Sequence, residues 1–209
     1  ICNLCITIKK HTTMKKLTQY TLLCLLAMVT FSCSTSRSVE RVDPTTQIDL
    51  SGRWNDTDSR LVAEEMVKDV MSRPWKQEYV SANNKAPRII VGTIINKSHE
   101  HINSETFIND IEREMLNSGM IKLAAGKEAR EELREERGDQ QNFSSPETAK
   151  AWGKEKGADF MLQGTINSIV DQYGKQKTVT YYVDLTLTDL ETNEKVWIGN
   201  KKIKKYIEN

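Results

Sequence analysis

Two histidines in the middle of the sequence have the spacing that comes closest to a metal site. His99 and His101 flank Glu100 in a polar segment, and residues two apart on an extended chain face the same side. Imidazole is a common ligand of zinc and other transition metals. No third ligand stands at a recognisable spacing, so a metal-dependent hydrolase is one hypothesis and exposed loop histidines are the alternative.

The other catalytic motifs are incomplete. Gly126-Lys127 lacks the spacing of a P-loop, and Glu128 stands where that motif needs a serine or threonine. The sequence contains no Gly-x-Ser-x-Gly nucleophile elbow, and its acids crowd on one charged stretch instead of pairing in an evident pocket. We therefore predict that the protein is not an enzyme and has no catalytic residues, no metal and no cofactor.

Cys33 is the cysteine whose surroundings indicate a covalent modification. From Met14 the chain has two lysines, an apolar run over 22–31 and then Ser32-Cys33, which is the order of a secretory signal peptide. The apolar run is shorter than the ~20 residues that a membrane-spanning helix needs. Ser32-Cys33 looks like a bacterial lipobox, so we predict a lipoprotein signal peptide over 14–32 and acylation of the Cys33 sulfur. A membrane anchor and an ordinary signal peptide are the alternatives.

The residues on either side extend this prediction. Residues 1–13 are predicted to be an upstream reading-frame extension, with Met14 as the true start. The other three cysteines precede Cys33, so the mature chain can form no internal disulfide and has no CxxC site. Ser34, rather than aspartate, follows Cys33. Under enterobacterial sorting rules this directs a lipoprotein to the outer membrane, where we expect it to face the periplasm.

The mature chain is expected to be slightly acidic. The whole sequence has 30 basic and 29 acidic residues, and four lysines but no acids lie before Cys33. The remaining 26 basic and 29 acidic residues give a net charge near −3, which argues against general nucleic-acid binding. Residues 33–47 are polar and have no apolar period, so they predict a flexible tether. Residues 48–209 then fit one domain.

The first part of this domain predicts helices around a pair of parallel strands. A helix should run from the polar stretch 55–59 to about Ser72, before Pro74. The β-branched run over 88–96 predicts a strand that is buried on both faces. A helix over 104–118 and a short strand over 120–123 then complete a βαβ unit. The remaining predicted elements are a charged surface helix over 127–137, a loop over 138–145 and a helix from Ser145-Pro146 to Gly157.

The last third of the sequence predicts antiparallel strands. Apolar and polar residues alternate over 159–172 and 179–188, and a further strand begins at Lys195. Turn residues at 174–176 and 191–194 separate these runs, as in a meander. We predict an α/β fold with a mixed sheet of about five strands, in which a βαβ unit is followed by the C-terminal meander and is packed by three to four helices.

Several motifs of this domain resemble one family. The stretch DLSGRWNDTDSR at 49–60 looks like the opening signature of the LpoB family, outer-membrane lipoproteins that activate class A penicillin-binding proteins. The segments IIVGTIIN at 89–96, GADFMLQG at 157–164 and YYVDLTLTDL at 181–190 are also similar to that family. The resemblance covers nearly all of residues 48–200 and implies a fold similar to the N-terminal domain of TolB.

The resemblance implies a regulator that docks on a bifunctional peptidoglycan synthase, a class A penicillin-binding protein of the inner membrane. Enterobacterial relatives look to have long, proline-rich tethers, whereas this tether is short and holds one proline. A structural or secretion-assembly lipoprotein of the same fold, such as a curli-export accessory, is the alternative. The signature residues taken as partner-binding are Arg53, Trp54, Asn55, Asp56, Asp58 and Arg60.

A strand end followed by a helix cap would explain the same signature without any binding role. Three further surfaces are candidates for docking: the polar loop 96–103, the charged helix 127–137 and the lysine-rich tail 201–205. The tail has an alternative interpretation, since lysines on an exposed strand edge oppose aggregation.

Overall fold

The computed structural model describes residues 37–143 and 156–208. The chain divides into two compact units, Ile1–Pro44 and Thr45–Asn209. Of the first unit, residues 37–44 are described, and they are exposed and contain no helix or strand. The second unit holds all the described regular structure.

Four helices are present in the described part of the chain. They are α1 (Asp56–Ser72), α2 (Trp75–Asn83), α3 (Ser104–Asn117) and α4 (Lys127–Phe143). The predicted helices after residue 55 and after Asn103 are confirmed, with Asn55 and Asn103 as their N-caps. Gly119 adopts a positive φ of 66° directly after α3, as predicted for a helix end.

Five strands form one mixed sheet in the order β2-β1-β3-β4-β5. The two strands of the predicted βαβ unit, β1 (Arg88–Lys97) and β2 (Lys122–Leu123), are parallel. β1 also pairs in parallel with β3 (Phe160–Tyr173). The meander of β3, β4 (Gln176–Asp189) and β5 (Lys195–Glu208) is antiparallel throughout, which confirms the predicted fold class.

The core lies between one face of this sheet and the helices. In β4 the inward positions are fully buried and alternate with partly exposed ones, as the period of two predicts. Phe160 at the start of β3 receives the rings of Trp75 and Tyr79 from α2, at centroid distances of 5.1 and 5.2 Å. The helical side of the core is contributed by α1 and α3, through Val62, Met66, Val70, Phe107, Ile111 and Met115.

The strand β1 is buried on both faces only in its first half. Ile89, Ile90 and Val91 are buried, but Ile95 is 49% exposed, so the prediction for the whole run is wrong in its second half. The pairing of β1 with β3 shifts register between Val91 and Ile94. This irregularity has the form of a β-bulge, which changes the face that each following side chain meets.

Two helical segments differ from the sequence prediction. The helix α2 follows Pro74 directly, because proline is tolerated in the first turn of a helix, where its missing N–H has no partner to lose. The predicted loop from Gly138 is also wrong, since α4 continues through this glycine to Phe143. One glycine costs a helix only about 1 kcal/mol relative to alanine. The predicted helix to Gly157 lies almost entirely outside the described residues.

Candidate functional site

The signature residues at the start of α1 form a helix cap. The Asn55 side chain accepts a hydrogen bond from the Asp58 N–H at 3.0 Å, and the Asp58 carboxylate accepts one from the Asn55 N–H at 3.0 Å. This reciprocal pair is a capping box, which satisfies two N–H groups that the first turn leaves without partners. Asn55 and Asp58 therefore have a structural role in the fold.

Trp54 joins three elements at the end of the sheet. Its indole ring packs edge-on against Tyr181 of β4 and Phe107 of α3, at 5.5 and 6.1 Å between centroids. Its Nε1–H donates to the Ser59 hydroxyl at 2.8 Å, and its backbone N–H donates to the Glu100 carboxylate at 3.1 Å. Trp54 is therefore half-buried and packed against the core.

An ion cluster holds the segment before α1, residues 45–55, against β5. We call residues 45–55 the leading segment. The Lys205 ammonium lies 2.6 Å from Asp49 and 2.7 Å from Asp58, and it also donates to the Arg53 carbonyl at 2.9 Å. The side chains of Lys205 and Asp58 are 9% and 8% exposed. Since the Lys205 side chain is largely covered and paired in this cluster, it is not one of the exposed edge lysines of the alternative interpretation.

Burial and the close ion pairs shift the pKa values of the three ionisable groups in this cluster. Burial opposes the charge of Lys205, but its hydrogen bonds to Asp49 and Asp58 outweigh burial and raise the pKa of the ammonium. The hydrogen bond from Lys205 lowers the pKa of Asp49. Burial raises the pKa of Asp58, and Lys205 only partly offsets this.

Three of the six predicted partner-binding residues point outward or lie near the surface. Arg53 and Asp56 are exposed. Arg60 is half-buried and pairs with Glu64 at 2.9 Å, one helical turn further along α1. The structure thus separates the signature into a structural group, Trp54, Asn55 and Asp58, and a surface group, Arg53, Asp56 and Arg60.

The two histidines considered as metal ligands have different environments. The His99 ring stacks on Tyr181 with centroids 6.4 Å apart, and its Nδ1 lies 2.6 Å from the Ser168 hydroxyl. Its Nε2 lies 3.4 Å from the Glu100 carboxylate, whereas His101 is exposed. Within residues 37–143 and 156–208, no group of three or more histidine, cysteine, aspartate or glutamate side chains is arranged to hold a metal ion.

Hydrogen bonds of the Asn96 side chain order the loop 96–103. The Asn96 side chain donates to the Glu100 carbonyl at 2.8 Å and accepts from the Ser98 N–H at 2.9 Å. Glu100 also faces Tyr181, whose phenol pKa is raised, first by burial and then by this carboxylate. No local pattern in the sequence shows that Trp54 contacts both Glu100 and Tyr181, which there are only parts of a loop and a strand.

The charged helix α4 and the lysine-rich tail in β5 differ in how many contacts their charged side chains make with the rest of the domain. Every acid of α4 between 128 and 136 is exposed, which agrees with a solvated surface helix. In β5, Lys201 pairs with Glu65 of α1, and Lys202 lies 5.3 Å from the ring of Tyr182. Strand alternation puts Lys201 and Lys205 on the same face as the buried Trp197, so this period is the signal that points to their inward position.

Cys33 and the predicted signal peptide lie outside the described residues. Of the predicted tether, residues 37–47 are described and contain no helix or strand. No helix in the described part of the chain is both long and apolar enough to cross a membrane.

Comparisons with known proteins give one family and several similar structures. The chain is similar to the LpoB C-terminal domain from Escherichia coli at 14% identity, over 70% of this chain and 98% of that one, with a TM-score of 0.42. It is also similar to the NMR structure of E. coli LpoB (13% identity, 84% and 83% covered, TM-score 0.37) and to lipoprotein GNA1162 from Neisseria meningitidis (14%, 57% and 83%, TM-score 0.37). No curated protein matches it.

The family is identified by a match to the chain itself. A family model described as the peptidoglycan-synthase activator LpoB matches residues 58–203. This span starts at the buried Asp58 of α1 and ends in β5, so it includes every strand of the sheet. The chain belongs to the LpoB family of peptidoglycan-synthase activators.

Proposed function

We propose that this protein is a lipid-anchored periplasmic regulator that binds and activates a class A penicillin-binding protein. The observation that carries the proposal is the family match over residues 58–203. An activator of this kind acts by binding the active conformation of the enzyme more tightly than the inactive one. A coupling of 1–3 kcal/mol, typical of such regulation, corresponds to about 5–150-fold.

The surface group of the signature is the proposed docking site. Arg53 and Asp56 are exposed on either side of the Asn55 cap, where the ion cluster and the capping box hold the backbone in place. A charged pair on a rigid support suits protein recognition, because little conformational entropy is lost when a partner binds. Arg60 adds a third charged side chain one turn further along α1.

The test is reconstitution with a purified class A penicillin-binding protein. Residues 34–209 should bind the enzyme in a pull-down and increase its rate of glycan polymerisation. The variant R53A/D56A should weaken both effects, whereas the control R113A changes an exposed arginine of α3 and should behave as wild type. Absence of binding and of any rate change would contradict the proposal, and recovery of a secretion channel would favour the alternative role in secretion assembly.

The anchor is proposed on the sequence of residues 14–33. Cleavage before Cys33 and acylation of its sulfur would fix the chain to a membrane, since each buried CH₂ contributes about 0.8 kcal/mol and two or more chains give stable anchoring. Mass spectrometry of the mature N-terminus should show acylated Cys33, with the protein in the outer-membrane fraction. C33S should remove the modification and release the protein. An unmodified Cys33 in the wild type would remove the basis of the proposed localisation.

A further inference from the structure

Four cationic side chains line one cavity near the edge of the sheet that carries β2. The cavity has a volume of about 210 Å³ and lies between α4, the start of β1 and the segment after β2. The described residues that line it include no acid. They are Arg88, Ala124, Ala125, Arg130, Leu133, Arg137 and Lys156.

The sequence of α4 sorts its charges by helix face. Arg130, Leu133 and Arg137 are spaced by three and four residues, so they share the stripe that faces the cavity. At 100° per residue the helical period places four of the five acids between 128 and 136 about 100° or more from this stripe, whereas Glu136 lies about 60° from Leu133, and all five are exposed. These acids are Glu128, Glu131, Glu132, Glu135 and Glu136.

Arg130 has hydrogen-bonding capacity that the described protein groups do not use. Its Nε is buried and has no hydrogen-bond partner among residues 37–143 and 156–208. A buried donor without an acceptor is destabilising, and more so when it is charged. The Asp159 carboxylate, which directly precedes β3, already accepts hydrogen bonds from the Arg88 N–H at 2.7 Å and the Lys85 ammonium at 3.2 Å. Arg88 donates from Nη1 to the Gly157 carbonyl at 3.4 Å. A guanidinium has five N–H donors, so this hydrogen bond leaves others that can bind a ligand.

We propose that this cavity binds a phosphoryl oxyanion, the phosphate or diphosphate group of a ligand. The guanidinium groups of Arg88 and Arg130 offer planar forks of N–H donors, which match the several oxygens of a phosphoryl group. A carboxylate has two oxygens in one plane and would occupy only one fork fully. The volume is several times the ~30 Å³ of one water in the liquid, so it has room for such a group. The ligand is either a soluble phosphate ester or a lipid headgroup.

The proposal does not depend on activation of a penicillin-binding protein and is tested on the isolated full chain. Inorganic pyrophosphate is titrated at constant ionic strength, and the Arg130 Nε–H and the Ala124 and Ala125 amides are followed by NMR. We expect saturable shifts at these positions and none with acetate at the same ionic strength. R130Q should weaken binding by about tenfold or more, as loss of a charge-assisted hydrogen bond implies. R130K keeps the charge but loses the fork and should be intermediate.

A matched control separates the cavity from general charge screening. R113Q removes an arginine of α3 that is paired with Asp110 at 2.8 Å, and it should bind pyrophosphate as wild type does. Vesicles of phosphatidylcholine with and without phosphatidic acid distinguish the two sources: capture by phosphatidic acid that pyrophosphate displaces assigns a headgroup, and no capture assigns a soluble ester. Unsaturable shifts, equal shifts with acetate, or an equal loss in R113Q and R130Q would overturn the proposal.

Discussion

Replacement of Lys205 by methionine tests whether the ion cluster holds the leading segment on the domain. K205M keeps most of the aliphatic stem and removes the ammonium, which lies 2.7 Å from Asp58 and 2.6 Å from Asp49. Removal of one partner from a buried ion pair costs about 3–5 kcal/mol, because the other charge stays buried. Asp58 retains the Asn55 N–H, and Asp49 is 38% exposed, so the cost falls below this range. We expect a loss of about 2–3 kcal/mol in the free energy of unfolding.

Urea denaturation of K205M and of the control K204M measures this loss. Lys204 is adjacent and exposed, and K204M should change stability by no more than about 0.5 kcal/mol. A double-mutant cycle with D58N should give a coupling of about 0.5–3 kcal/mol between Asp58 and Lys205. Hydrogen exchange of the leading segment should become faster in K205M, because its Arg53 carbonyl loses a donor.

The pH dependence of the same variants gives a second measurement. The pKa of Lys205 is raised in the folded protein, so its contribution is complete below the ordinary value of 10.5 and is lost as pH rises through the folded pKa. The stability curves of wild type and K205M should therefore approach each other at strongly alkaline pH, and also in acid, where Asp49 and Asp58 lose the charges that pair with Lys205. If K205M matches K204M in stability and exchange near neutral pH, the cluster does not hold the segment and the argument from burial is refuted.

Three further substitutions test the cap, the sheet and a buried carboxylate. N55A should lower stability by about 1 kcal/mol through loss of the capping box, measured by urea denaturation against R53A, which should have no effect on stability. G164A should lower the melting temperature, at a cost of about 1–3 kcal/mol, because its Cβ would meet the Asp184 backbone and Leu185. The control is G126A, whose Cβ would meet no described atom within 4 Å. Burial opposes the charge of Asp159, but hydrogen bonds such as those from the Arg88 N–H and the Lys85 ammonium outweigh it and lower the pKa, so the contribution of Asp159 is present above the ordinary value of 3.8 and disappears as pH falls through the folded pKa. D159N should be less stable than wild type near neutral pH and equally stable in acid, and an unchanged difference across this range would contradict the assignment.

The elements that sequence analysis predicted correctly are those with a local cause. The alternation along β4 requires only a period of two, and each inward side chain from Val179 to Leu187 is buried. The cap of α1 requires only Asn55 and Asp58 three residues apart. Each pattern depends only on residues that are close together in the sequence, so it does not require knowledge of tertiary contacts.

The errors have identifiable physical causes. Pro74 can end one helix or begin the next, and only the packing of Trp75 on Phe160 determines that α2 forms here. The bulge in β1 arises from its register with β3, which the sequence of β1 alone does not contain. The partner of Asp58 is Lys205 near the other end of the chain, and no periodicity links residues so far apart.

The sheet order places the leading segment and the basic cavity at opposite edges. The leading segment is held on β5 through Lys205, while the cavity lies beside β1 and β2, three strands away in the order β2-β1-β3-β4-β5. Neighbouring strands are about 4.8 Å apart, so the two features are separated by roughly 15–20 Å across the sheet. A ligand in the cavity would therefore leave Arg53 and Asp56 accessible to a partner protein. Pyrophosphate binding and enzyme activation should be separable by R130Q and R53A/D56A, and loss of both activities in either variant would contradict this arrangement.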